Sequence, residues 1–157
     1  MSSETSKKPW LVRSDFASDA LWTDLIEQVL APQIELGQEF FADVECISDG
    51  RFEGLDPVSV VHHLPESYNY LFCMVADRHT FETAELPILI IGFAPSGEIS
   101  EELRWHPQQV QAKDLTSFRA VPRTIQSIEN NLSLANLDFE DFVRSVASDG
   151  IFRGFQQ

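Results

Sequence analysis

Basic residues are scarce in this sequence: 11 Lys and Arg stand against 25 Asp and Glu, giving a formal net charge of −14. Charge of that sign repels phosphate backbones and anionic headgroups, so neither nucleic acid nor a membrane surface is an expected partner. It favours solubility and leaves a basic protein as a natural partner. Cysteine is scarcer still, with two in 157 residues. Cys46 lies in Val44-Glu45-Cys46-Ile47 and Cys73 in Leu71-Phe72-Cys73-Met74-Val75, where free cysteine packs as a small hydrophobe. Two cysteines so far apart make neither a disulfide framework nor a zinc site, and they fit a reducing compartment. Long apolar runs are missing too. The longest, Leu86 to Ala94, is interrupted by Pro87 and Gly92 and falls far short of the roughly 20 residues a membrane span needs. The polar start, Met1 to Lys8, has no apolar core for export, so the cytoplasm is the expected location.

Several chemical signatures are absent as well. No Gly-rich phosphate loop follows any expected strand, so no nucleotide is indicated. There is no Gly-x-Ser-x-Gly nucleophile turn. None of His62, His63, His79 and His106 forms a pair at the three- or four-residue helical spacing of a zinc motif, and adjacent His62 and His63 would point apart on a helix. No metal and no cofactor is expected.

What remains reads as globular. Hydrophobic residues make up 43% and charged residues 23%, ordinary values for a packed domain, and 157 residues is close to the commonest domain size. Residues 1–8 read as a disordered tail and 9–157 as a single α/β domain. Trp10 to Arg13 reads as a short buried strand. Leu21, Trp22, Leu25, Ile26, Val29 and Leu30 define one helical face, begun by Ser18 or Asp19 and followed by Pro32. Phe40 to Ile47 reads as a second strand. Asp56-Pro57 opens a short helix through His62, with Asp as cap and Pro in the first turn. Tyr70 to Ala76 and Leu86 to Phe93 are continuously apolar, as strands covered on both faces are.

Residues 95–115 read as a loop or lid. Phe118 to Val121 is a fifth strand candidate. Pro122 opens a helix carrying Ile125, Ile128 and Leu132. Asp138 caps a last helix with Phe139, Phe142, Val143 and Val146, and Asp149-Gly150 ends it. The aromatic tail Ile151 to Phe155 is expected to pack back on the body. Strands alternating with helices predict a three-layer α/β fold, its mainly parallel sheet of four to five strands flanked by helices.

Three groups of residues are candidate ligand sites. Asp15, Asp49 and Asp77 each follow a predicted strand. In an open parallel sheet ligands bind outside the carboxyl ends of the strands, where convergent carboxylates hold Mg²⁺ or raise one another's pKa. The plainer role is capping of the following turn. Glu129, Asn130, Asn131, Asn136 and Asp138 lie between two helices, and the amides can donate and accept toward a polar ligand. Helix termination is again the plainer role. Arg13, inside an apolar strand, and Arg153 suit either a structural carboxylate pair or an anion.

Three strings resemble a known family: Leu11-Val12-Arg13-Ser14-Asp15-Phe16 with Trp22 downstream, Glu129-Asn130-Asn131-Leu132-Ser133-Leu134-Ala135-Asn136-Leu137-Asp138-Phe139, and Asp149-Gly150-Ile151-Phe152-Arg153-Gly154-Phe155. Together they are similar to an uncharacterised family of small acidic microbial proteins, a domain of unknown function, from about residue 10 to 155. The resemblance implies no activity. It marks Arg13, Asp15, Glu129, Asn130, Asn131, Asn136, Asp138 and Arg153 as positions worth testing.

The sequence therefore favours a non-catalytic binding or regulatory protein, inhibitor- or immunity-like, with an acidic surface facing a basic partner. The alternative is a small-molecule enzyme or ligand-binding domain, with an Asp/Asn-lined cleft at the strand ends that takes a small polar ligand. Whether the chain catalyses a reaction stays open, as does a homodimer through aromatics such as Trp105 and Phe155.

Overall fold

The computed structural model describes residues 8–93, 107–134 and 136–155. Trp10–Arg13 forms β1, whose side chains alternate between two cores as strand geometry requires. Leu11 enters one core and Val12 the other. Phe72–Ala76 (β5) and Ile88–Gly92 (β6) do the same, which is why their sequences are apolar without interruption. The first core lies under helix α1 (Asp19–Leu30), helix α4 (Ile125–Ser133) and helix α5 (Phe139–Val143). There Trp22, Leu25, Val29, Ile128 and Phe142 meet Leu11, Met74, Ile90 and Phe118. The second core lies under helix α2 (Pro57–His62), where Val60, Val61, Phe52 and Tyr68 meet Val12, Cys73, Val75 and Ile91. The result is a three-layer α/β arrangement.

The main sheet has six strands in the order β4-β1-β5-β6-β7-β8, with β4 at Glu45–Ile47, β7 at Thr116–Ala120 and β8 at Ile151–Phe152. It is mixed. The pairs β1–β4, β1–β5 and β7–β8 are parallel, whereas β6 runs antiparallel to both β5 and β7. The expectation of a mainly parallel sheet of four to five strands is met only roughly: three of the five pairs are parallel, but the sheet has six strands and β6 runs against its neighbours. The reason lies in the connection between β5 and β6. Only residues 77–87 separate them, holding the single short helix α3 (Arg78–Glu82). A parallel return needs a crossover of a dozen residues or more, so the chain turns back instead.

The first two predicted helices form where their caps lie, whereas the one expected to open at Pro122 begins with a 3-10 turn, Pro122–Thr124, and the last stops at Val143 rather than at Asp149-Gly150. Ser18 accepts the Leu21 N–H at 3.1 Å, and Asp56 accepts the Ser59 N–H at 2.9 Å. The aromatic tail packs as expected, with the Phe155 ring 5.0 Å from Phe152 and 5.3 Å from Phe142. Gly92 allows close approach of α5, since a Cβ there would sit 2.9 Å from the Phe139 ring.

The predicted strand Phe40 to Ile47 is divided. Gln33–Glu35 (β2) and Gln38–Phe40 (β3) form a separate two-stranded hairpin, and β4 begins only at Glu45. The turn residues Leu36 and Gly37 have φ of 51° and 79°. Two consecutive left-handed residues define the mirror-image turn favoured in tight hairpins, which normally reads Asn-Gly or Gly-Gly. Leucine in the first place hides the signal. Of the predicted loop or lid at 95–115, residues 95–106 lie outside the described residues. The remainder forms two 3-10 turns, Pro107–Gln109 and Ala112–Asp114, with Val110 buried in the second core. The predicted tail also lies outside the described residues, apart from Lys8. Among the described residues, no helix is long and apolar enough to cross a membrane.

Candidate functional site

Because β4, β1 and β5 are neighbours running in one direction, their carboxyl ends open on one edge of the sheet. Asp49, Asp15 and Asp77 follow these ends. Each carboxylate is engaged locally. Asp15 Oδ1 accepts the Ala17 N–H at 3.0 Å. Asp49 Oδ1 accepts the Arg51 N–H at 3.0 Å, and its Oδ2 lies 3.4 Å from the Arg51 guanidinium. Asp77 caps α3 through the Thr80 N–H at 3.1 Å and receives both Arg119 Nη groups, at 2.9 and 2.8 Å. Burial pushes the Asp77 carboxyl up, but the Arg119 and Thr80 contacts outweigh it and hold the group below its ordinary pKa. Among the described residues, no cluster of three or more His, Cys, Asp or Glu is arranged to hold a metal ion. The shared edge is present, with its aspartates acting as caps.

Arg13 sits at this edge with 4% exposure. Its Nη2 donates to Asp19 at 2.8 Å, its Nε to the Asp15 carbonyl at 3.1 Å and its Nη1 to Ser48 at 3.4 Å. The guanidinium lies over Phe16, 4.5 Å from the ring centre. One side chain thus fastens the exits of β1 and β4 to the start of α1, as a charge taken out of water requires. Arg153 plays a similar part beyond β8, with Nη2 2.8 Å from Glu85 and 2.6 Å from Asp149. Its hydrogen bonds hold both carboxyls below their ordinary pKa.

The asparagine segment lies elsewhere. Glu129, 4% exposed, takes the Asp43 N–H at 2.8 Å and the Asn130 amide at 2.7 Å on Oε1, and the Ser133 hydroxyl at 2.8 Å on Oε2. Asn130 also donates to the Phe41 carbonyl at 3.1 Å. These contacts fasten α4 to residues 41–43, which enter β4, whereas Asp49 leaves it. Asn131 donates back to the Ser127 carbonyl at 2.8 Å, and its own carbonyl accepts the Asn136 N–H at 2.9 Å. Asp138 precedes α5 as its N-cap and donates its N–H to Asp141 at 2.8 Å. Among the described residues, Asp15, Asp49 and Asp77 therefore lie at the opposite end of the sheet from Glu129 and Asn130, so these two groups do not line one cleft. Burial and neighbouring Glu45 raise the Cys46 thiol to about 11, and burial raises Cys73 further, which disfavours the reactive thiolate at both.

Sequence reasoning missed a different surface. From Ser14 to Gly50 the chain has no Lys, Arg or His, yet carries Asp15, Asp19, Asp24, Glu27, Glu35, Glu39, Asp43, Glu45 and Asp49. All of these except Asp15 are exposed. They lie on or beside α1, the β2–β3 hairpin and β4, which is the edge strand of the sheet. Among the described residues, the ion pairs of this stretch are Lys8–Asp43, Arg13–Asp19 and Arg51–Asp49. The same stretch exposes apolar side chains: Ile34 at 61%, Leu36 at 103% and Phe41 at 53%. The signal was available as a cation-free run spanning the first predicted helix and the predicted strand Phe40 to Ile47.

The architecture is that of an α/β protein with a mixed sheet, its strand exits closed by caps and ion pairs. Over residues 8–155 the sequence matches the model of a family described as a domain of unknown function, DUF6924, and the chain belongs to that family. No curated protein and no solved structure matches it.

Proposed function

We propose that the chain is a non-catalytic binding protein whose β4 side receives a basic protein partner. The observation that carries this reading is the cation-free stretch 14–50, with eight exposed carboxylates on α1, on the hairpin, and on or beside the edge strand. A field of one sign speeds the encounter with an oppositely charged surface and rejects like-charged ones. Both parts of the strand-exit edge that suit a small ligand, the aspartates and the buried Arg13, are occupied by internal contacts. That supports binding over chemistry.

Binding of a lysine-rich peptide, followed by calorimetry at rising salt, tests the reading. The affinity is expected to fall as salt rises, because exposed charges more than about 10 Å apart are screened at 0.1 M. Changing Glu35, Glu39 and Asp43 to their amides is expected to weaken it more than the same change at Glu53, Glu66 and Asp114. Equal losses from the two triple variants would overturn the assignment of this face.

A further inference from the structure

The β2–β3 hairpin combines three features that stability alone does not explain. Its turn residue Leu36 adopts φ of 51°, a conformation that costs a non-glycine residue energy and is a genuine outlier for a bulky one. The same side chain is 103% exposed, so it contributes nothing to a core. The hairpin also displays further apolar surface. Ile34 pairs with Glu39 in the ladder, and Phe41 directly follows β3. Ile34, Leu36 and Phe41 all stand in water. Among the described residues, no backbone hydrogen bond joins β2 or β3 to the six-stranded sheet. A lone hairpin is marginal by itself. Here it is held at its base, where Asn130 and Glu129 grip Phe41 and Asp43.

Resting on the proposed function, we infer that this hairpin is the docking element, and that Leu36 packs against apolar side chains flanked by Lys or Arg on the partner protein. Charge complementarity selects the occupant. Glu35, Glu39 and Asp43 are exposed and neighbour Ile34, Leu36 and Phe41 along the chain, Glu39 as the cross-strand partner of Ile34, so the matching surface is apolar and cationic. A second copy of the chain is disfavoured, because a two-fold contact would set these carboxylates against their own duplicates. An anionic membrane is disfavoured for the same reason. Apolar anchors ringed by polar groups are where interface energy concentrates.

Two 12-residue peptides separate the two claims, one alternating Lys with Leu and the other alternating Lys with Ser. Calorimetry with the full chain at low salt is expected to show the Lys/Leu peptide binding at least roughly tenfold tighter than the Lys/Ser peptide. Leu36→Asn is expected to abolish that difference and leave Lys/Ser binding unchanged, while the thermal midpoint stays level or rises, since asparagine suits the turn better. Leu134→Asn, at the exposed end of α4, is expected to leave the difference in place. If neither peptide binds, the proposed function fails. If both bind equally, or Leu36→Asn has no effect, the charged face stands and the anchor is refuted. Sedimentation as a dimer that Leu36→Asn dissolves would give the hairpin to a second copy and overturn the basic partner.

Discussion

Arg119 and Asp77, 42 residues apart in sequence, meet through two parallel hydrogen bonds of 2.9 and 2.8 Å. The pair ties β7 to the start of α3, across the antiparallel strand β6. Arg119 also donates to the Pro87 carbonyl at 3.1 Å. Bidentate geometry gives this contact orientation as well as energy.

The pair makes stability depend on acid. Asp77 is held below its ordinary pKa in the fold. Its contribution is therefore complete above about pH 4, the unfolded carboxyl value, and disappears as pH falls through the lower folded value. Arg119→Met is expected to destabilise by about 1–2 kcal/mol at pH 7, intermediate between exposed and buried pairs. The difference from the parent should shrink as pH falls through the acid range. Urea melts at pH 7 and below pH 4 measure both values, and a difference that stays constant would refute the assignment.

Glu129 is a buried carboxylate satisfied by three donors rather than by a cation. Glu129→Gln turns one acceptor into a donor facing donors. The expected loss is about 1–3 kcal/mol, with amide exchange quickening at Asp43 before it does in β5. Unchanged exchange at Asp43 would show that the glutamate does not hold that segment.

Gly92 leaves room for the Phe139 ring, and a Cβ there would lie 2.9 Å from it. Gly92→Ala is expected to cost about 1–3 kcal/mol by overpacking. Adding Phe139→Leu should recover part of this, giving a non-additive cycle. Strict additivity of the two changes would contradict the contact.

Cys46, raised to about 11 by burial and Glu45, is expected to alkylate roughly 100-fold slower than free cysteine at pH 8, because only the thiolate reacts. Mass spectrometry of native protein treated with iodoacetamide measures the rate. A rate equal to that of free cysteine would contradict the burial.

Much of this fold was legible where local and tertiary signals agree. Ser18, Asp56 and Asp138 mark helix starts in sequence, and they precede α1, α2 and α5 in the structure. The apolar runs of β5 and β6 announce strands covered on both faces. Their relative direction was not written locally, since it depends on the length of the 77–87 connection. The hairpin was hidden because Leu36 occupies a place that normally signals a turn. The aspartate rhythm correctly placed three residues on one edge, but sequence cannot show that each carboxylate is already used by a nearby N–H. The asparagines were legible as helix-end residues. Their distance from the aspartates follows from the direction of α4, which begins at the exit of β7 and ends near the entry of β4.

The most direct measurement is a titration of ¹⁵N-labelled protein with the Lys/Leu peptide, followed through backbone amide shifts. The expected shifts fall between Asp19 and Asp49, largest at Ile34 to Phe41, and vanish in high salt. Shifts centred instead on Arg13, Asp77 and Arg119, or shifts indifferent to salt, would contradict a hairpin-bearing acidic face as the binding surface.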